Sequence, residues 1–128
     1  MSINFNQDSV FNLKEIKLES VRGDVDGLLI DGEEPVMAFH TVRDQLVFTN
    51  RRIIAIDVQG MTGTRKSFTS LPYSRIQYFT IQTPGFGEFM PDTELFVMFN
   101  NRFTARFEFK TRTDIGKIAR LIGDFALR

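Results

Sequence analysis

Apolar positions along this chain follow different periods in different places, and the changes of period mark out its elements. The clearest case is the run from Phe103 to Lys110. Phe103, Ala105, Phe107 and Phe109 fall on one face, and Thr104, Arg106, Glu108 and Lys110 on the other. Strict alternation of this kind predicts a β-strand with one core face and one wet face. The same period, less cleanly kept, predicts strands at Pro35–Val42, Leu46–Thr49, Ile53–Val58, Arg65–Leu71 and Ile76–Thr83. In the last of these, Ile76, Tyr78 and Thr80 are expected to share a face.

Turn chemistry separates these runs. Arg43-Asp44 is a tight connection, Asn50-Arg51 suits a two-residue turn, and Gly60 and Gly63 bracket a third hairpin loop. Pro84–Asp92 is a longer loop with two glycines and two prolines, and two long strands follow it. The period then changes. Ile115, Ile118, Ala119, Ile122, Phe125 and Ala126 lie at helical spacing, with Thr113 placed to cap the helix. The tally is seven strands closed by one C-terminal amphipathic helix.

The beginning of the chain is less regular. Phe11, Leu13, Ile16 and Val21 suit one face of a short helix over Ser9–Arg22, although Ile16 and Leu18 alternate like a strand. A second short helix is expected over Val25–Ile30, capped by Asp24 and ended at Gly32. Residues 1–24 are therefore read as an N-terminal extension and 25–128 as the domain proper.

Composition narrows the chemistry. The chain has 128 residues, fourteen phenylalanines, two tyrosines, no tryptophan and no cysteine. That length supports one core without cross-links, and each phenylalanine buried contributes roughly 1.5–3 kcal/mol. Absence of cysteine removes thiol catalysis, cysteine zinc sites and disulfides, and it fits a reducing cytoplasm. Sixteen basic and sixteen acidic side chains cancel, so the basic surplus of a nucleic-acid binder is missing. The first residues carry no secretory signal pattern, and the apolar runs are too short to span a bilayer as helices. These features point to a cytoplasmic protein.

At this stage the segments GLLIDGEEPVMAF, RDQLVFTNRRIIAIDVQGMTG, LPYSRI and TDIGKIARLIGDF can be taken together. In that order, over roughly residues 27–127, they resemble the bacterial pleckstrin-homology (PH) domain family. The resemblance implies a mainly β fold: a partly open, seven-stranded PH-like barrel or sandwich capped by a C-terminal helix. It implies no catalytic residue and no cofactor. It also implies an assembly module that forms homo-oligomeric, often ring-like, particles. Eukaryotic relatives of the fold bind phosphoinositide headgroups with basic residues on a long first hairpin loop. The short Arg43-Asp44 connection departs from that pattern and argues against a membrane lipid as ligand.

Candidate sites are few. His40 is the only histidine. Its position mid-strand predicts a packed or hydrogen-bonded structural role, since a metal or general-base role needs partners the sequence does not supply. Nor does the chain hold a P-loop, nucleophile elbow or dinucleotide fingerprint, so it reads as a non-enzyme. Arg43, Arg51, Arg52, Arg65 and Lys66 form a candidate anion contact, with the Gly60–Gly63 loop as an amide nest. Their bland alternative is a set of solvated turn residues. Phe86, Phe89 and Met90 in the long loop, with Phe96 and Met98 on the strand after it, are the candidate oligomer or partner interface. Leu95, Val97 and Phe99 already fill one face of that strand, so Phe96 and Met98 make it apolar on both sides. Such a strand is covered by the terminal helix or buried against another molecule. The expected partner is another copy of the chain, with a protein client as a second possibility.

Overall fold

The computed structural model describes residues 9–62, 65–83, 93–99, 103–110 and 113–127. Its strands are β1 (Ser9–Ile16), β2 (Pro35–His40), β3 (Gln45–Thr49), β4 (Arg52–Gln59), β5 (Arg65–Pro72), β6 (Ile76–Gln82), β7 (Thr93–Phe99) and β8 (Thr104–Phe109). Two helices, α1 (Glu19–Val25) and α2 (Ile115–Ala126), complete the set. Single 3₁₀ turns follow α1 at Asp26–Leu28 and join β5 to β6 at Tyr73–Arg75.

The strands form one open sheet in the order β5-β4-β3-β2-β1-β8-β7-β6. Neighbours are antiparallel except β1 and β8, which run parallel. The fold is therefore mainly β with a C-terminal helix, as expected, but the described residues form eight strands and the sheet does not close.

The added strand is the main correction. Ser9–Ile16, expected as a helix, is β1, and it lies in the middle of the sheet with β2 on one side and β8 on the other. A bulge between Val10 and Leu13 accounts for the misreading. Asn12 at its centre has φ 61°, a left-handed conformation that asparagine tolerates better than most residues. The bulge turns both Val10 and Leu13 into the core, 3% and 0% exposed, and so creates a helix-like i, i+3 spacing inside a strand.

The helix that does form begins later, at Glu19, and the expected helix over Val25–Ile30 is reduced to its 3₁₀ turn. Asp24 caps nothing; its carboxylate pairs with Lys66 at 2.8 Å. Gly32 does take a positive φ, 79°. At α2 the cap is Asp114, whose carboxylate accepts from the Lys117 amide, while Thr113 donates to the Lys110 carbonyl. In β6 a register shift between Ile76 and Tyr78 puts those two on opposite faces. Ile76 is buried and Tyr78 is exposed.

Two apolar layers result. The inner face of the sheet carries the main core. Phe39 meets Phe109 at 4.8 Å and Phe48 at 5.7 Å between ring centres, and Ile118 and Ile122 of α2 join the same buried cluster as Leu95, Val97 and Phe107. On the outer face α1 lays Val21 and Val25 against Ala38, Val47, Ile54 and Ile56 of β2, β3 and β4. β2, β3 and β4 are thus covered on both sides, which explains the nearly unbroken apolar runs in β3 and β4.

Candidate functional site

No helix among the described residues is long and apolar enough to cross a membrane. Among the same residues no group of three or more His, Asp or Glu is placed to hold a metal ion. His40 ends β2 and is exposed, so the packed role expected of it is not observed.

The five basic candidates do not converge. Arg51 and Arg52 stand at the β3–β4 turn, whereas Arg43, Arg65 and Lys66 stand at the other end of those strands. Arg52 is committed to the fold. Its Nε and Nη2 both donate to the buried Glu33 carboxylate at 2.9 Å, Nη2 also reaches the Leu28 carbonyl, and Nη1 reaches the Ser70 hydroxyl. Lys66 pairs with Asp24, and Arg51 lies over the Phe125 ring at 4.8 Å, against α2. Arg43 donates to the Gly60 carbonyl and ties the β2–β3 turn to the β4–β5 turn.

Glu33 organises the opposite end. Burial alone would raise its pKa. Hydrogen bonds from Arg52, the Thr49 hydroxyl and the Ile30 amide outweigh burial and hold it below the ordinary carboxylate value. Around it Asn50 accepts from the Glu34 amide and donates to the Gly32 carbonyl, so the approach to β2 is stapled to the β3–β4 turn. This network is structural, and neither Glu33 nor Arg52 is presented to a ligand.

The surface that remains lies on the outer face of β6, β7 and β8. Register places Tyr78, Met98 and Thr104 in one row across the strands, and Thr80, Phe96 and Arg106 in the next. Gln82, Glu94 and Glu108 form a third row. Phe96 and Met98 are half-buried and Tyr78 is 58% exposed. Arg106 lies over the Phe96 ring at 5.5 Å and grips Glu94 with two N–H donors, at 2.8 and 3.1 Å. That grip raises the arginine pKa further, so the guanidinium stays charged. Thr104 donates to the Met98 sulfur at 3.4 Å.

The strand expected to be apolar on both sides is therefore so. Its inner face, Leu95, Val97 and Phe99, is buried in the core cluster to which Ile118 and Ile122 of α2 also belong. No described helix covers the outer one, in contrast to the α1-covered half of the sheet. Phe86, Phe89 and Met90, the loop members of the expected interface, lie outside the described residues. Tyr78 and Arg106 were not singled out in the sequence. The signal for Arg106 was its place opposite Phe96 on the wet face of the most regular strand.

Comparison with known proteins agrees with this architecture. The family described as "Bacterial PH domain" matches residues 4–126. The Bacillus subtilis (strain 168) protein named "Uncharacterized protein YjqA" is 38% identical over 84 residues, 66% of this chain and 66% of that protein. "Uncharacterized protein YozO" from the same organism is 36% identical over 94 residues, 73% of this chain and 79% of its own length. A crystal structure from Shewanella loihica PV-4, a DUF1696 family protein with a pleckstrin-homology domain, superposes with a TM-score of 0.76 at 34% identity. The match covers 91% of this chain and 99% of that one. A pleckstrin homology domain from Shewanella amazonensis SB2B gives a TM-score of 0.63 at 35% identity, covering 88% and all of the two chains. With the sheet order, the C-terminal helix and these matches in agreement, the chain belongs to the bacterial PH domain family.

Proposed function

We propose that the protein is a non-catalytic assembly module whose copies associate through the outer face of β6 and β7 and the edge of β6. The observation that carries this reading is the patch of Tyr78, Met98 and Phe96, drawn from two adjacent rows on the part of the outer face that α1 leaves bare. β6 is the end strand of the sheet among the described residues, the position at which a strand from another copy could be added. Full burial of the three side chains would yield on the order of 5 kcal/mol before association costs are subtracted. An edge of one copy joined to a different edge of the next gives a ring when the rotation closes. A protein client could be held on the same surface.

Light scattering after size exclusion tests the reading. The wild type at micromolar concentration is expected at several times 14.8 kDa, and Phe96→Asp or Tyr78→Asp is expected to shrink it with the fold intact. A monomeric wild type overturns the proposal.

One observation favours a second reading, an anionic membrane surface. Val42 and Met61, fully exposed, cap the neighbouring β2–β3 and β4–β5 turns beside Arg43 and Arg65. Against it stand the engagement of Lys66 with Asp24 and the removal of Arg51 and Arg52 to the far end. Sedimentation with phosphatidylserine vesicles at low and high salt decides: without salt-sensitive binding, the basic residues serve the fold.

A further inference from the structure

Beneath those two turns lies a pair of acids that no ion pair compensates among the described residues. Asp44 is the last residue before β3, and Asp57 lies on β4. The register Gln45↔Ile56 and Leu46↔Ala55 sets Asp44 directly across from Asp57. Asp44 is 3% exposed. One of its oxygens accepts from the Val58 amide at 3.4 Å. Asp57 accepts from Gln59 Nε2 on Oδ2, but its Oδ1 is buried and is the only such side-chain oxygen without a donor among the described residues.

Two ionised carboxylates directly opposite each other in a sheet repel, and burial strengthens the repulsion. Among the described residues the surrounding charges do not relieve it. On the same turn Arg43 is turned to the Gly60 carbonyl. On β5, Lys66 is paired with Asp24, and Arg65 is opposite Gln59. On β2, His40 stands opposite Gln45, and Lys14 of β1 stands opposite His40. No cation forms an ion pair with either acid among the described residues.

We propose that Asp44 and Asp57 share a single proton, donated by the Asp44 carboxyl to the orphaned Asp57 Oδ1, and that its loss loosens the sheet end carrying the Val42 and Met61 turns. One hydrogen bond then satisfies the unpaired oxygen and removes one of the two charges. The pattern is that of close carboxyl pairs in which both members cannot ionise. Burial is the main cause that lifts the Asp44 pKa to about 6, and the neighbouring Asp57 charge adds to it against the bond from the Val58 amide. The pair titrates as a unit, so its transition belongs to both residues.

The proton holds more than the two acids. The Asp44 backbone closes the β2–β3 turn, accepting from the Thr41 amide and taking the Thr41 hydroxyl as its own acceptor. Arg43 binds that turn to the β4–β5 turn through Gly60. Repulsion at Asp44 therefore acts on both turns at once. The device is independent of what the turns or the outer face bind.

The test is a carboxyl ¹³C titration of the intact protein between pH 3 and 8, with the Val58 amide proton shift followed in parallel. The expected result is one carboxyl transition near pH 6, tracked by Val58. Asp44→Asn should abolish the Val58 transition, because an amide supplies the missing donor at every pH. Above pH 7 the same variant should show several-fold slower amide exchange at Thr41 and Val58 than wild type. Asp57→Asn is the second variant should Asp44→Asn fold poorly, and it should move the same transition to lower pH, because the facing charge is gone while the Asp44 carboxyl still titrates. Both carboxyls titrating near 4, or a Val58 transition that neither substitution changes, overturns the proposal.

Discussion

The Arg52 guanidinium meets the Glu33 carboxylate through two N–H donors, both at 2.9 Å, with the Glu33 side chain wholly excluded from solvent. The two residues are nineteen positions apart. Their pairing anchors the turn before β2 to the β3–β4 hairpin. Glu33→Ala leaves Arg52, the Thr49 hydroxyl and the Ile30 amide without their acceptor. The expected loss is about 3–5 kcal/mol, as for removal of one partner from a buried pair. Denaturant unfolding measures it. A loss below about 1 kcal/mol, the range of an exposed pair, would show that the network contributes little.

Tyr73 reports on the same end of the molecule. Its hydroxyl is buried and donates to the Thr49 carbonyl at 2.7 Å. Burial, with the Glu33 charge nearby, pushes its pKa far above the ordinary phenol value, so it remains a donor at all working pH. Tyr73→Phe keeps the ring and removes the donor. The expected cost is about 1–2 kcal/mol, with the carbonyl left unpaired and β5 and β6 less firmly joined to the β3–β4 turn.

These two networks explain what the sequence conceals. Alternation in β8 and the helical spacing of α2 reflect one element against one core, and both are readable from periodicity alone. Arg52 looks like half of a solvated Arg-Arg turn because its acid is nineteen residues away, and no local pattern links them. Ser9–Ile16 misleads for a different reason: its bulge breaks the alternation that would have betrayed a strand. Among the candidate sites, the two-sided apolar character of β7 was legible because it needs only the alternation within one strand. Dispersal of the five basic residues to two ends was not, since it depends on hairpin geometry.

The bulge at Asn12 makes its own prediction. A φ of 61° costs little for asparagine and glycine and much for a β-branched residue. Asn12→Val is expected to destabilise by about 1–3 kcal/mol, while Asn12→Gly should be close to neutral. Because β1 separates β2 from β8, deletion of residues 1–16 should abolish cooperative unfolding altogether, as read by circular dichroism on heating. A truncated chain that still melts cooperatively would mean the two halves of the sheet hold together without their shared strand.

On the outer face, Arg106 sits between an acid and an aromatic ring. Arg106→Ala removes the grip on Glu94 and the cover over Phe96, and leaves the inner face of β8 untouched. Monomer stability should change by no more than about 1 kcal/mol, because the pair is partly solvated. If the face joins copies of the chain, the same substitution should weaken association much more than it weakens folding. Sedimentation equilibrium and thermal melting of one sample separate the two effects.

Two buried acids give stability opposite slopes with pH. The folded-state pKa of Glu33 lies below its ordinary value of 4.5, so its contribution is present above that value and is lost as pH falls through the lowered one. Asp44 behaves the other way. Its folded-state pKa is raised from 3.8 to about 6, so the native state keeps a proton that the unfolded chain has released. Its contribution is complete below 3.8, is lost as pH rises towards 6, and stays lost above it. Thermal melting should therefore give a Tm that climbs out of acid, peaks at about pH 4–5, and declines to a plateau above about pH 6. In Asp44→Asn the decline between about pH 4 and 6 should vanish and the Tm at pH 7 should exceed that of wild type. In Glu33→Gln the acid limb should flatten while the decline above about pH 4 persists. A parallel decline in wild type and Asp44→Asn would place its origin in other groups and remove Asp44 from the account.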